Sequence, residues 1–378
     1  MLRTDRNREE GKEGRAATTP SGHAEERALS TQVYQRSYPL NAWYMACWAD
    51  DLASDQLLAR TLLERPVVLF RDAKGAAVAM DDMCPHRFAP LSKGRVKDGI
   101  VQCGYHGLRF DGSGTCLGNA AAYSSFPPDT RVRTYPLVER YRAIWIWLGD
   151  VDGANPDLVP VLAHMPAPGG HQNIGNYLHV RGNWLLETDN IMDLTHVHYL
   201  HEGSLGNESM RTGEMHVSEQ DGVVRAELWM PGTICPFGPL QGQLCDQWNN
   251  VEWRAPSAMI LDFGAVLPGE PAVQDEGGYA FHIFTPETER TTHYFFGSSG
   301  SYAEEDAWQP RMIGELQNRI FLEEDNPMIE AVQERMAGRD FWDMRPAILS
   351  SDAAAIRVRR KIAKLCREEV KAAEQCKA

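Results

Sequence analysis

The sequence contains no long apolar run. Nowhere does it have the roughly 18 consecutive apolar residues of a membrane-spanning helix. Residues 1–30 also lack the apolar core of a secretory signal. We therefore expect no membrane interaction and predict a cytoplasmic protein.

Basic side chains are also few. The chain of 378 residues has 38 Lys and Arg against 52 Asp and Glu, a formal net charge of −14 at pH 7. Nucleic-acid-binding proteins draw affinity from Lys and Arg side chains that neutralise phosphates, so this balance argues against a nucleic-acid partner. An anionic membrane surface is disfavoured for the same reason.

Cysteine is sparse, with 8 in the whole chain. In a chain of this length in a reducing compartment, that number favours metal ligation over a disulfide framework. Two of them, Cys84 and Cys103, stand beside histidines. The others have no partner at ligand spacing and are expected to be ordinary thiols: Cys47, Cys116, Cys235, Cys245, Cys366 and Cys376.

The chain divides into a tail and two domains that differ in their predicted secondary structure. Residues 1–37 have no apolar periodicity and are expected to form a disordered tail. Residues 38–150 contain short predicted strands separated by Gly-containing turns, a pattern typical of a small all-β domain. Residues 151–378 mix strands with long helical patterns, which predicts an α+β fold class for the whole chain.

Two short Cys and His motifs are the strongest signal in the sequence. His86 follows Cys84 by two residues, and His106 follows Cys103 by three. Two thiolates and two imidazoles could hold a structural zinc ion. However, a Cys and a His only two residues apart bind one tetrahedral ion poorly. They can instead give both Cys to one iron and both His to another, as in a Rieske [2Fe–2S] cluster.

A second group of ionisable residues lies in the predicted helical stretch 184–201. Buried charges at this density need a metal or each other, and two His with one carboxylate are the ligands of non-haem Fe(II) oxygenases. His198 and His201 share a face of a regular helix, whereas His196 and His201 require the helix to end or bulge between them. Asp193 stands three residues before His196 and is suited to orient its imidazole.

The carboxylate ligand must come from another part of the chain. Glu323, Glu324 and Asp325 are candidates, although three consecutive acidic residues are most often a solvated helix face. Pro327 is unusual inside a helix and marks a break at which a functional distortion could lie.

These motifs together resemble the oxygenase components of Rieske non-haem iron oxygenases, most closely the aromatic O-demethylases. The resemblance runs from about residue 38 to residue 365. It implies a Rieske β-domain followed by a helix-grip (START-like) catalytic domain, with a curved antiparallel sheet over a long helix. The segments that carry it are 41–44, 84–91, 193–196, 285–289 and 293–299.

The resemblance also implies the metal ligands. The family's mononuclear iron ligands fall on His196, His201 and Asp325, which leaves His198 outside the site. Its inter-subunit bridging aspartate falls on Asp193. Its [2Fe–2S] cluster ligands fall on Cys84, His86, Cys103 and His106.

Enzymes of this family form a homotrimer in which the cluster of one subunit faces the iron of the next. Asp193 would then link His106 of a neighbouring subunit to His196. A ferredoxin and an NAD(P)H-dependent ferredoxin reductase supply electrons, and this chain has no Rossmann or flavin motif of its own. The implied reaction is O2 activation at Fe(II), monooxygenation of an alkyl carbon on O or N, and release of an aldehyde.

The resemblance extends to the substrate pocket. His282 matches a histidine that hydrogen-bonds the substrate in an O-demethylase of the family, and Leu261 replaces an amide side chain that helps to bind a carboxylate there. We therefore expect a neutral, xenobiotic-like aromatic substrate, such as an aryl ether or an N-alkyl anilide. Alternatively, Leu261 only packs and another residue holds a carboxylate.

Two other functions remain open from the sequence. A ring-hydroxylating dioxygenase of the same superfamily would give a cis-diol instead of an aldehyde. A Rieske electron carrier with a ligand pocket would hold no mononuclear iron, but it leaves His196, His201 and Asp325 without a role.

Overall fold

The structure is a computed structural model that describes residues 37–119, 126–162, 172–235, 240–272, 277–300 and 308–375. The tail predicted for residues 1–37 lies outside these ranges except for its last residue. The backbone N–H of Ser37 donates to Glu289 Oε1 at 2.8 Å.

Short strands predominate before residue 150, as the Gly-containing turns predict. They form three antiparallel sheets with the strand orders β1-β11-β10, β2-β3-β4-β9 and β5-β6-β7-β8. Short 3-10 turns follow β1 (Ala49–Asp51) and precede β5 (Leu91–Lys93). The strands are β1 Trp43–Trp48, β2 Leu58–Leu62, β3 Arg65–Arg71, β4 Ala77–Asp81, β5 Arg95–Lys97, β6 Ile100–Gln102, β7 Leu108–Phe110, β8 Cys116–Asn119, β9 Thr134–Tyr135, β10 Leu137–Arg140 and β11 Ala143–Trp147.

The second half of the chain is built on one seven-stranded antiparallel sheet. Its strand order is β12-β18-β17-β16-β15-β14-β13, so consecutive strands pair as a meander and β12 closes one edge beside β18. The strands are β12 Gln172–Val180, β13 Glu214–Gln220, β14 Val223–Ile234, β15 Leu244–Arg254, β16 Ala258–Val266, β17 Gly278–Thr288 and β18 Thr291–Gly300.

Helices cover one face of this sheet. The longest, α6, packs against β13, β14 and α1, and α1 also packs against β15 and β17. This arrangement confirms the predicted α+β fold class with a sheet over a long helix. The helices are α1 Trp184–Met192, α2 His196–Leu200, α3 Ser209–Thr212, α4 Trp308–Ile320, α5 Asn326–Met336 and α6 Ala353–Gln375, with a π-helical turn at Phe321–Asp325 between α4 and α5.

The two faces of the large sheet pack into different cores because side chains alternate along each strand. Ile260 and Phe281 of one face pack with Trp43 and Trp145 of the first domain. The opposite face packs against the helices and carries Met259, Leu261, Phe284, Tyr294 and Phe296. The first face therefore joins the two halves of the chain, and the second encloses the space below the helices.

No helix among the described residues is both long enough and apolar enough to cross a membrane.

Candidate metal centres and substrate pocket

Two loops of equivalent backbone geometry carry the first Cys and His motifs. In each loop the cysteine N–H donates to the carbonyl oxygen five residues later, at 2.9 Å for Cys84 and 2.8 Å for Cys103. In each loop the fourth residue after the cysteine is left-handed, Phe88 with φ of 60° and Gly107 with φ of 75°. Such backbone strain at a non-glycine residue is typical of functional loops. The two loops thus present matching sets of side chains.

The ligand atoms of these loops differ in exposure. Cys84 and Cys103 are each 2% exposed, whereas His86 and His106 are exposed at the surface. The two imidazole rings lie with their centroids 4.5 Å apart. Two buried sulfur ligands and two surface nitrogen ligands suit a two-iron cluster with a protected iron and an outer iron.

The second group of ligands forms where the predicted helical stretch breaks. Helix α1 ends at Met192, and α2 runs from His196 to Leu200. His201 is the residue that ends α2, with φ of −105° and ψ of 29°. This break supplies the distortion that a pair of histidines five residues apart requires.

Three side chains converge at this break. One ligand atom from each of His196, His201 and Asp325 lies within 4.8 Å of the other two. The Nε2 atoms of His196 and His201 lie 3.7 Å and 3.3 Å from Asp325 Oδ1. Within the described ranges, no other group of three or more His, Cys, Asp or Glu side chains converges on a single ion in this way.

The two imidazoles stabilise the ionised form of the Asp325 carboxylate. Burial alone would raise the pKa of Asp325, but the His196 and His201 imidazoles beside it outweigh burial and lower the pKa. The second oxygen of Asp325, Oδ2, is buried without a hydrogen-bond partner. Two imidazoles, one ionised carboxylate and an unsatisfied oxygen fit a divalent iron with open coordination positions.

Neighbouring groups hold the three side chains in place. Glu324 Oε2 accepts a hydrogen bond from Ser204 Oγ at 2.8 Å and lies 2.7 Å from Nδ1 of His201. Asn190 Nδ2 donates to Asp325 Oδ1 at 3.0 Å. Such contacts fix the tautomer and the direction of metal-binding side chains.

Asp193 contacts His196 in a different way from the one expected. Its backbone carbonyl, not its carboxylate, is the partner of His196 Nδ1. The carboxylate accepts hydrogen bonds from the backbone N–H of Thr195 at 2.9 Å and from its hydroxyl at 2.6 Å. The side chain of Asp193 therefore shapes the turn between α1 and α2, and its backbone orients the imidazole.

His198, the remaining histidine, has partners outside this cluster. Its Nδ1 lies 2.9 Å from the carbonyl oxygen of Asn207, and its Nε2 lies 3.4 Å from Glu208 Oε2.

The carboxylate ligand is presented by an irregular turn. Phe321–Asp325 is π-helical, and α5 begins directly afterwards with Pro327 in its first turn. The break predicted at Pro327 is therefore present, just after Asp325. π-Helical turns are rare and often lie at functional sites.

Comparison with known proteins agrees with both centres. Residues 42–136 match the Rieske [2Fe-2S] domain family, and residues 180–368 match the vanillate O-demethylase oxygenase C-terminal domain. The oxygenase component of dicamba O-demethylase from Stenotrophomonas maltophilia is 39% identical over 88% of this chain and 98% of its own. The oxygenase component of chloroacetanilide N-alkylformylase from Rhizorhabdus wittichii is 35% identical over 85% of this chain and 94% of its own.

This chain belongs to the Rieske non-haem iron oxygenases. The crystal structure of dicamba monooxygenase bound to 3,6-dichlorosalicylic acid superposes with a TM-score of 0.82 at 37% identity, covering 87% of this chain and 98% of that one. The family predicted from the motifs, its fold and its two iron cofactors are thereby confirmed. The similar oxygenase components favour dealkylation over the ring-hydroxylating and electron-carrier alternatives.

The predicted substrate residues of this Rieske oxygenase lie on the helix-facing side of the large sheet. His282 pairs with Met259 and Phe296 across the strands, and Leu261 follows Met259 by two residues, so all four share a face. His282 is 2% exposed, and its Nδ1 lies 2.7 Å from the hydroxyl of Tyr294. Burial lowers the pKa of His282 to about 4, so its imidazole is neutral near pH 7.

Four residues of this region did not emerge from the sequence analysis as site residues. Tyr294 and Phe321 lie against His282, and Phe321 belongs to the π-helical turn. Glu187 is buried in α1, and Asn190 on the same helix contacts Asp325. The sequence feature that could have identified Glu187 is an acidic residue directly after two leucines in a helix predicted to face the core.

Proposed function

We propose that this Rieske oxygenase removes an alkyl group from the oxygen or nitrogen of a neutral aromatic substrate and releases an aldehyde. The observation that carries the proposal is a group of two histidines and one carboxylate that could hold iron, next to largely apolar side chains of the helix-facing core. The relatives named for O-demethylation of dicamba and for N-alkylformylase activity on chloroacetanilides support dealkylation of an aromatic compound.

In this proposal each set of residues has a separate task. Cys84, His86, Cys103 and His106 hold the [2Fe–2S] cluster, and His196, His201 and Asp325 hold the mononuclear iron. The bound iron supplies reductive activation of O2. Asn190 and Glu324 keep Asp325 and His201 in position.

The neutral substrate follows from the pocket side chains. Uncharged His282 donates one hydrogen bond to the substrate, and Leu261 supplies apolar contact instead of a group that could hold a carboxylate. Phe296 and Phe321 add aromatic surface to the same region, with ring centroids 4.9 Å apart. An aryl ether or an N-alkyl anilide has the aromatic surface and the low polarity that these side chains would contact.

Electrons reach the protein from outside. The relatives are described as oxygenase components, which implies separate electron-transfer proteins, and we infer a ferredoxin with an NAD(P)H-dependent reductase. Cytoplasmic location accords with the free thiols of buried cysteines such as Cys47 and Cys116.

We also infer a homotrimer, with the cluster of one subunit next to the iron of its neighbour. Apolar side chains are exposed at both ends of this contact, Phe88 and Tyr105 near the cluster and Tyr199, Leu322 and Met328 near the iron site. Asp193 would connect His106 of the neighbouring subunit to the iron site. We place the domain division at residues 150 and 151, between the β-domain and the catalytic domain.

Metal content and product analysis test the proposal. Anaerobically purified protein is expected to hold about three irons and about two acid-labile sulfides per chain, since the cluster contributes two irons and the second site one. Dithionite-reduced protein is expected to give a Rieske-type EPR signal. Only two irons after Fe(II) reconstitution would indicate an electron carrier instead.

Turnover with ferredoxin, reductase and NADH then identifies the reaction. A methoxy-substituted aromatic amide should give formaldehyde in proportion to O2 consumed, whereas a ring-hydroxylating enzyme would give a cis-diol. A matched aryl carboxylate should be the poorer substrate. Clear preference for the carboxylate would contradict the neutral-substrate proposal.

A further inference from the structure

Two polar side chains form a hydrogen-bonded pair on the helix-facing side of the large sheet. His282 on β17 and Tyr294 on β18 are each 2% exposed, and the Tyr294 hydroxyl lies 2.7 Å from Nδ1 of His282. Polar atoms in such an apolar place are expected to be hydrogen-bonded. The aromatic rings that lie against one or both of them are those of Phe284, Phe296 and Phe321.

One atom of this pair has no partner. Nε2 of His282 is buried without a hydrogen-bond partner among the described residues. Buried polar atoms are normally paired, so an unpaired one needs an explanation. The adjacent Phe321 belongs to the π-helical turn that ends with Asp325, a candidate iron ligand. A substrate bound beside the iron would supply the missing partner of Nε2.

The register of the two strands sets up the contact between the side chains. Tyr294 pairs with Phe284, two residues after His282, so Tyr294 and His282 lie diagonally on one face of adjacent strands. Diagonal neighbours are within reach of long aromatic side chains. The hydrogen bond at Nδ1 therefore fixes the orientation of the imidazole ring, and with it the position of Nε2.

The hydroxyl of Tyr294 also decides which nitrogen of His282 carries the proton. In the part of the chain that the structure describes, Nδ1 of His282 is the one hydrogen-bond partner of this hydroxyl. A buried hydroxyl hydrogen needs an acceptor, so Tyr294 donates to Nδ1. A neutral imidazole has one donor and one acceptor nitrogen, which leaves its proton on Nε2.

The neutral form of His282 does not depend on whether iron is bound. Burial disfavours the charged imidazolium, and the negative charge of Asp325 opposes burial only in part. An iron ion at Asp325 would add positive charge, which disfavours the imidazolium further. The imidazole therefore presents one N–H donor in either case.

We propose that Tyr294 is a positioning residue that holds His282 with its proton on Nε2, so that the site selects aromatic substrates with an acceptor oxygen. The inference rests on the proposed function and narrows its substrate class. The substrate carries a carbonyl or similar oxygen in addition to the alkyl group that is removed. His282 Nε2–H donates to this oxygen, and Tyr294 acts on the substrate only through His282.

The selectivity follows from the unpaired N–H. A compound without the oxygen leaves Nε2–H of His282 buried and unpaired, and sites built around such a group discriminate strongly against analogues that cannot pair with it. A proton on Nδ1 would instead make Nε2 an acceptor, which repels the oxygen of the substrate. Without the Tyr294 hydroxyl both tautomers are accessible, so the preference for the oxygen falls.

Equilibrium binding to the iron-replete protein tests this inference. One probe is 2-methoxyacetophenone, which has a carbonyl oxygen. The other is 2-isopropenylanisole, in which a methylene group replaces that oxygen with little change of shape. The dissociation constant of each probe is measured anaerobically by titration calorimetry, and the ratio of the two constants reports the hydrogen bond to the carbonyl.

The variants separate the hydroxyl from the ring. Tyr294→Phe removes only the hydroxyl, and Tyr294→Met, with a flexible apolar side chain, replaces it if the phenylalanine variant does not fold. His282→Leu removes the donor itself. Tyr177→Phe is the matched control, because the Tyr177 hydroxyl lies 2.9 Å from Nδ1 of His293 in an equivalent pair on the opposite face of the sheet.

The wild-type protein and Tyr177→Phe are expected to bind the ketone at least about tenfold more tightly than the alkene. Tyr294→Phe should lose about fivefold or more in ketone affinity and stay within about twofold of wild type for the alkene. His282→Leu should bind the two probes within about twofold of each other. A merely structural role for Tyr294 would weaken both probes alike and leave their ratio unchanged.

The inference is overturned if Tyr294→Phe keeps the wild-type ratio, if wild type does not prefer the ketone, or if wild type binds neither probe. Formaldehyde release from the ketone by wild type tests the proposed function separately. Selective binding that depends on Tyr294 without formaldehyde would refute dealkylation alone. Formaldehyde release with an unchanged ratio in Tyr294→Phe would refute the role of Tyr294 alone.

Discussion

Glu324 contacts His201 but is not one of the three candidate iron ligands. A substitution at Glu324 therefore tests how the orientation of a ligand affects iron binding without removing the ligand. Burial would lower the pKa of His201, but the Asp325 and Glu324 carboxylates beside it outweigh that effect and raise it. Glu324 is thus the partner that fixes Nδ1 of His201 while Nε2 faces Asp325.

Replacing Glu324 by glutamine should weaken the mononuclear iron site and spare the cluster. We expect iron affinity at the second site to fall by about 10–100-fold, the usual effect of removing a partner that orients a metal ligand. Iron and sulfide are measured after dialysis against graded Fe(II) concentrations. Glu323→Gln is the control, because Glu323 is exposed in the same turn. Equal iron retention in both variants would show that Glu324 does not support His201.

Single residues also show what sequence spacing can and cannot reveal. The Cys and His spacing was sufficient to predict a Rieske cluster, because ligand chemistry limits the alternatives. The choice between His196 and His198 needed the family resemblance, because it depends on where a helix ends. Asn190 went unrecognised because its contact with Asp325 joins α1 to the π-helical turn, two elements that are distant in sequence.

Strands and helices could be predicted from the sequence where one face of the element is apolar. Strand β15, Leu244–Arg254, was not predicted, since its first half includes Asp246 and Gln247 and shows no apolar alternation. Both side chains are nevertheless buried. Asp246 accepts hydrogen bonds from the backbone N–H groups of Gly232 and Gly269. Partners on neighbouring segments therefore override the local pattern, which no periodicity analysis can detect.

Helix α6 holds α1 through an ion pair that we expect to be important for stability. The Nε of Arg359 donates to both carboxylate oxygens of Asp189 at 2.9 Å, and its Nη2 donates to Oδ2 at 2.5 Å. The Arg359 side chain is 7% exposed. Burial raises the pKa of Asp189 although Arg359 opposes this effect. The pair fixes the helix that carries Asn190 and Glu187.

Arg359→Ala should destabilise the protein by about 1–3 kcal/mol, because it leaves the partly buried Asp189 carboxylate, whose side chain is 24% exposed, without its partner. The double variant Arg359→Met with Asp189→Leu should recover most of the loss, since it leaves no charge behind. Scanning calorimetry at fixed iron content measures both. Arg357→Ala on the same helix is a control with a weaker contact, a 3.3 Å hydrogen bond to the Val217 carbonyl. A double variant no more stable than Arg359→Ala would show that the pair contributes by packing alone.

At the scale of the whole molecule, the large sheet lies between two cores. The loops proposed to hold the cluster carry exposed His86 and His106. The candidate iron ligands lie below the helices of the other domain, with His201 3% and Asp325 5% exposed. The large sheet and the aromatic core around Trp43 lie between the cluster domain and these helices. We infer from this that electrons pass between neighbouring subunits. The composition of the chain could not predict this arrangement, because assembly depends on which surfaces remain exposed after folding.

Trimers assembled from two different variants would directly test electron transfer between subunits. Asp325→Ala should lose the mononuclear iron, Cys103→Ser should lose the cluster, and each should be inactive alone. In a head-to-tail ring of three, any ring that contains both variants has one intact cluster facing one intact iron. Doubly tagged mixed trimers should therefore recover about one third of wild-type turnover. If cluster and iron of the same subunit work together, the mixed trimers will be as inactive as the parents. The ring would then have no catalytic role.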